Sequence, residues 1–203
     1  LQALPGFCRR ARWFLDHRRD LSGQISWMRA CTDGSGHMLL AIPSRERLQR
    51  VLRYLCDPEE FLSPFGIRSL SRYHRAHPYV LAPGYEAYAV RYCPGDSESS
   101  VFGGNSNWRG PVWFPVNFLL LEALEKYHHF FGDSLRCECP VGSGRLLTLD
   151  LLAQELATRL VSLFLPDATG CRPCHGSDER YARDPHFRDL LLFHEFFHGD
   201  SGK

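Results

Sequence analysis

The sequence predicts a mainly α-helical, single-domain protein, and three observations carry that expectation. Leucines recur at helical spacing in segments bounded by capping residues. Strand-type alternation is nearly absent. The connecting segments are long and rich in Gly, Pro and aromatic residues, as expected where loops carry the function.

Ser44 is placed to cap a helix over 45–56, with Leu48, Val51, Leu52 and Leu55 on one face before Asp57-Pro58 ends it. Pro115 suits a helix start, and Phe118, Leu121, Leu124, Glu125 and His128 extend that helix to about Phe131, where Gly132 stops it. Thr148 or Asp150 opens a third, with Leu152, Leu156, Leu160 and Leu163 in register until Pro166. Asp184-Pro185 predicts a fourth from His186 to about Phe197, closed by Gly199. Only Tyr85 to Cys93 alternates, consistent with one hairpin arm.

The 203 residues are enough for one sizeable core, and a net charge of +1 gives no polybasic field to draw the chain to nucleic acid or a membrane. No apolar run approaches the roughly 18–20 residues that cross a bilayer. The opening Leu1-Gln2-Ala3-Leu4-Pro5-Gly6 lacks the features of a secretory signal, so a cytoplasmic location with reduced thiols is expected for the eight cysteines. Cys171-Arg172-Pro173-Cys174-His175 matches a haem-attachment string, but both methionines lie far upstream. Cys137, Cys139, Cys171 and Cys174 would suit zinc, although the C-x-C half is atypical. No metal or cofactor is expected.

Two constellations carry chemistry. His194-Glu195-Phe196-Phe197-His198 spells the zinc-peptidase pattern H-E-x-x-H, which works because residues four apart share a helix face. Ser201 stands where the longer form of that motif needs a glycine, and paired histidines near a helix C-terminus need no metal. The second is Phe102-Gly103-Gly104-Asn105-Ser106-Asn107-Trp108-Arg109-Gly110-Pro111-Val112-Trp113-Phe114-Pro115. It supplies flat indoles for the CH face of a pyranose and planar polar groups for its hydroxyls. The same residues equally suit a loop whose indoles plug the core and whose Arg109 makes an ion pair.

Asn107-Trp108-Arg109-Gly110-Pro111-Val112-Trp113 resembles a stretch of glycoside hydrolase family 63. Phe61-Leu62-Ser63-Pro64-Phe65-Gly66-Ile67-Arg68-Ser69-Leu70-Ser71 and Phe197-His198-Gly199-Asp200-Ser201-Gly202 resemble its mannosylglycerate-hydrolase-like branch. The resemblance covers nearly the whole chain. It implies an (α/α)6 toroid, an inverting mechanism and an α-glucoside or α-mannoside substrate. It places Glu195 as general base and Asn107, Trp108, Arg109, Gly110 and Trp113 in the sugar pocket. Inversion needs a second carboxyl group about 6.5–9.5 Å away. The family's acid motif is missing, and the surroundings of Asp16 do not match it. Residues 1–203 are therefore expected to be a partial catalytic domain, inactive or nearly so by itself. A zinc peptidase and a non-catalytic helical carbohydrate-binding or interaction protein are the alternatives.

Overall fold

The computed structural model describes residues 4–22, 26–29, 38–82, 88–97 and 108–203. The chain divides into two compact units, Leu1–Arg50 and Val51–Lys203, with the boundary inside a helix.

In the first unit, α1 (Pro5–His17) begins on a proline, whose missing N–H costs nothing in a first turn. No residue of α1 is buried, and Leu4, Phe7 and Trp13 are exposed. A short α2 (Arg19–Ser22) follows, tied back by the Ser22 hydroxyl donating to the Leu15 carbonyl at 3.2 Å. β1 (Ser26–Arg29) and β2 (Met38–Ala41) form an antiparallel pair. Helix α3 (Arg45–Leu55) then starts as predicted, with the Ser44 hydroxyl accepting from the Arg47 N–H at 3.3 Å.

The second unit opens with the end of α3, where Leu52 and Cys56 are buried and Val51 is exposed. A tight hairpin, β3 (Leu62–Ser63) and β4 (Gly66–Ile67), leads to a 3-10 turn at Arg72–Arg75. Next come β5 (Tyr79–Leu81) with β6 (Tyr88–Val90), then β7 (Val112–Trp113), which runs directly into α4 (Phe114–Phe131). Gly132, at φ +53°, ends α4 where the sequence predicts. β8 (Arg136–Glu138) and β9 (Leu146–Thr148) make a hairpin that feeds α5 (Leu149–Ser162). After α6 (Arg180–Arg183) the chain returns as β10 (Phe196–Phe197), antiparallel to β7.

Helices α4 and α5 pack together and supply much of the core. Leu152, Leu156, Leu160 and Leu163 are all buried, as their spacing predicts. On α4 the buried side chains are Leu124 and Asn117, whereas Phe118 and Leu119 face solvent. An aromatic cluster of Phe197 with Phe65, Phe114 and Phe164 surrounds Leu163 and Cys174.

Two expectations are corrected. The helix predicted over 186–197 does not form; the chain there is turns, coil and β10. The Asp184 carbonyl accepts from the Phe187 and Arg188 N–H groups, but the Arg188 carbonyl is taken by the Arg172 guanidinium at 2.9 Å. Pairing with β7 then draws Phe196 and Phe197 into extended backbone. Strands are also more numerous than the one hairpin arm expected: the described residues contain five two-stranded antiparallel sheets. The fold is thus helix-rich with only small antiparallel sheets. No helix among the described residues is long and apolar enough to cross a membrane.

Candidate functional site

The three motifs singled out in the sequence meet. In the β7–β10 pair, Val112 lies opposite Phe197 and Trp113 opposite Phe196. Arg68 bridges to Val112 from the other side. The Ser69 N–H donates to the Pro111 carbonyl at 3.0 Å, and the Gly110 N–H donates to the Ser69 hydroxyl at 3.0 Å. Hydrogen bonding therefore runs from Arg68 and Ser69 of the first motif through residues 110–113 of the second to Phe197, where the third begins.

Two glycines make that convergence possible. Gly110 has φ +144°, and a Cβ there would lie 2.7 Å from the Tyr92 ring. A Cβ on Gly199 would penetrate the Gly110 carbonyl oxygen, and the Gly199 N–H donates to the Pro94 carbonyl at 2.7 Å. Gly199 thus serves close backbone approach and closes no helix.

The indoles of Trp108 and Trp113 stack face to face, with centroids 4.3 Å apart and planes 3° apart. Trp113 is buried at 8% exposure and rests against Phe196 at 5.2 Å, while Trp108 is 52% exposed. Flat aromatic surface in this arrangement offers one open face to a sugar and roots the other in the core. Glu195 immediately precedes Phe196 and is exposed; its carbonyl accepts from the Phe114 N–H at 3.0 Å. Arg109 is buried, and its guanidinium donates to the Ser97 hydroxyl. Its carbonyl accepts from the Cys93 N–H at 2.5 Å. The loop thus combines the two readings open at the sequence level: Arg109 and Trp113 are buried, and Trp108 is presented to solvent. Asn107 lies outside the described residues.

The H-E-x-x-H pattern loses its geometric basis. His194 to His198 spans coil, a bend and the two residues of β10, so the histidines do not share a helix face one turn apart. His198 Nδ1 accepts from the Asp200 and Ser201 N–H groups at 3.2 and 3.1 Å, which ties that ring nitrogen to its own turn. The four cysteines considered for zinc also separate. Cys137 and Cys139 meet Cys56, whereas Cys174 lies in the Leu163–Phe197 cluster. Among the described residues no group of three or more His, Cys, Asp or Glu side chains is arranged to hold a metal ion.

Asp200 was missed as an individual residue. Its carboxylate accepts from the Tyr92 hydroxyl at 2.7 Å and pairs with Arg68 at 3.3 Å and with Arg75. Burial pushes the Asp200 carboxyl up, but the Tyr92 hydrogen bond and the charges of Arg75 and Arg68 outweigh it and hold the group below its ordinary range. Burial and the neighbouring Asp200 push the Tyr92 hydroxyl up to about 12. Arg68 is 4% exposed and also donates to the Pro58 carbonyl at 3.3 Å and to the Leu62 carbonyl. The available signal was an Arg in one motif and an Asp in another, which sequence spacing alone does not pair.

Residues 33–165 match the family described as the mannosylglycerate hydrolase MGH1-like glycoside hydrolase domain. The chain belongs to that family. The resemblance drawn from the motifs therefore holds, and the matched segment includes both the 61–71 and the 107–113 stretches of this MGH1-like domain. An uncharacterized protein of Saccharomyces cerevisiae is 44% identical over 205 residues, covering 100% of this chain and 19% of its own length. The mannosyl-oligosaccharide glucosidase of the same yeast is 29% identical over 83 residues, covering 40% of this chain and 7% of that protein. The MGH1-like chain thus spans about a fifth of the first relative and less of the second. Glu195 lies beyond the family match and within the span shared with the uncharacterized yeast protein.

Proposed function

We propose that the chain is part of an inverting glycoside hydrolase acting on α-glucosides or α-mannosides, with Glu195 as the general base. The observation that carries this reading is the junction of β7 and β10. It fixes the backbone of an exposed carboxylate beside a Trp113–Phe196 pair topped by the open face of Trp108. A general base needs an unencumbered carboxylate, and among the described residues the Glu195 carboxylate makes no hydrogen bond or ion pair. The family match and the glucosidase relative support the substrate class.

In this reading Glu195 takes a proton from water as that water attacks the anomeric carbon, and a second carboxylic acid protonates the leaving oxygen. Trp108 and Trp113 form the platform, Gly110 and Arg109 hold the loop that carries Trp108, and Asn107 belongs to the same pocket. Asp16, the upstream carboxylate noted in the sequence, is exposed and belongs to the other compact unit. The whole of residues 1–203 acts here as part of an (α/α)6 catalytic domain that depends on further chain for its acid.

The test is Glu195→Gln in a longer chain that supplies the acid, assayed on p-nitrophenyl α-glucosides and α-mannosides. Turnover is expected to fall about 10²–10⁴-fold with sugar binding retained. The first-formed anomer, read by proton NMR, is expected to be β. Turnover within a few-fold of the parent would remove Glu195 as the base, and a first-formed α anomer would remove inversion.

A further inference from the structure

The hairpin β8–β9 brings two cysteines to the end of α3. The Val141 N–H donates to the Cys56 carbonyl at 3.0 Å, which staples the hairpin turn to the helix end. Cys137 lies on β8, and Cys139 follows immediately after the end of that strand. The Cys56 thiol is within hydrogen-bonding reach of both sulfurs. All three are free thiols; Cys56 and Cys139 are fully buried and Cys137 is half-buried. Nothing in the proposed hydrolysis uses them.

Three thiols converging from two distant segments of the chain, with one only half-buried, have the layout of an entry thiol with a resolving partner. We infer that Cys56, Cys137 and Cys139 form a thiol–disulfide exchange site in which Cys137 meets a low-molecular-weight disulfide and Cys56 resolves the product. The Cys137 thiolate attacks one sulfur of oxidised glutathione, forming a mixed disulfide and releasing one glutathione thiolate. The Cys56 thiol then gives up its proton and attacks the Cys137 sulfur, releasing the second glutathione. Two protein thiols are oxidised to one disulfide and one glutathione disulfide is reduced to two thiols.

The choice of partner follows from chain placement. A disulfide needs Cβ atoms about 3.5–4.5 Å apart, and between Cys137 and Cys139 it would have to close over the single residue Glu138 at the end of β8. Cys56 approaches from outside the strand and has no such restriction. Chemistry agrees with this order. The hydrogen bond from Cys56 holds the Cys137 thiol below its ordinary range, which favours the thiolate, the form that attacks a disulfide. Cys139 is held down by Cys56 too, with help from Arg159 and Arg145, while hydrogen bonding to Cys137 and Cys139 and burial push Cys56 up.

The experiment incubates the purified chain with oxidised glutathione, blocks remaining thiols with N-ethylmaleimide and maps peptides by mass spectrometry without reduction. Expected is one internal disulfide joining Cys56 to Cys137, or to Cys139 after exchange, with Cys93, Cys171 and Cys174 still alkylated. Cys56→Ser is expected to stop the reaction at a glutathione adduct on Cys137, and Cys139→Ser to leave the Cys56–Cys137 link intact. A wild-type map that joins Cys137 to Cys139, draws in Cys171 or Cys174, or leaves all three thiols alkylated overturns the inference without recourse to any variant.

Discussion

Trp108 and Trp113 show how one stacked pair can divide its work. The inner ring is buried and joined to Phe196, so Trp113→Ala removes core contacts and is expected to cost about 3–5 kcal/mol in a denaturant titration. The outer ring is half in solvent, so Trp108→Ala is expected to change stability by less than about 1 kcal/mol. Under the sugar reading the same change weakens substrate binding about 5–10-fold, since a stacked aromatic contributes roughly 1 kcal/mol. Calorimetric titration of Trp108→Ala with the substrate sugar checks the second figure; unchanged affinity removes the platform role. Asp200 gives a pH signature at the same scale. Its carboxyl is held below the unfolded value near 3.9, so its stabilisation is complete above about pH 4 and is lost as pH falls through the lower folded value. Wild type is therefore expected to exceed Asp200→Asn in stability at pH 7, with the gap closing below pH 4. Tyr92 acts in the opposite sense: its hydroxyl, raised to about 12, contributes below about pH 10 and loses that contribution as pH rises toward 12.

Among elements, the β3–β4 hairpin is pinned to α4 through one side chain. Asn117 Oδ1 accepts from the Ile67 N–H at 2.8 Å, and Nδ2 donates to the Ile67 and Trp113 carbonyls at 3.0 and 2.8 Å. The amide imitates a neighbouring strand in the first turn of a helix. Asn117→Ala strands those three buried backbone groups and is expected to cost about 2–4 kcal/mol by urea unfolding. A loss below about 1 kcal/mol would mean that water replaces the amide. This pin marks the limit of what the sequence discloses. Helix α5 was legible because four leucines repeat at helical spacing and all four are buried. Asn117 was not, because a polar residue on an apolar helix gives no sign of a partner 50 residues away. The error over 186–197 has the same origin. Asp184-Pro185 is a genuine start signal, but the outcome was decided by Phe196 and Phe197 pairing with Trp113 and Val112, a contact no local pattern contains. The candidate residues came from motif resemblance; their grouping required three distant segments to be hydrogen-bonded together.

For the whole molecule, the exposed apolar residues matter most. Phe118, Leu119, Leu165, Leu190, Leu191 and Phe193 all face solvent. Exposed apolar side chains that adjoin one another, as Phe118 and Leu119 do on α4, favour association. The chain alone is expected to show concentration-dependent association in sedimentation velocity, reduced by Phe118→Glu with Leu119→Glu on α4. Monomeric behaviour of the unmodified chain across the concentration range would show that this surface is compatible with water. The helix-rich character was legible from periodicity. A ring of helix pairs is a property of many hairpins together, so it enters only through the family resemblance.

The contact of Gly199 with Gly110 bears on how accurately a site of this kind can be set. Where two peptide groups touch without side chains between them, the spacing of the segments is fixed by covalent geometry and admits no rotamer as a spacer. The chain from Glu195 to Gly199 and the chain from Trp108 to Trp113 are then held like the jaws of a caliper. Neighbouring side chains can change with little effect on the gap. A methyl group at either glycine opens it, and a proton transfer that requires atoms about 3 Å apart would register the change before the fold did.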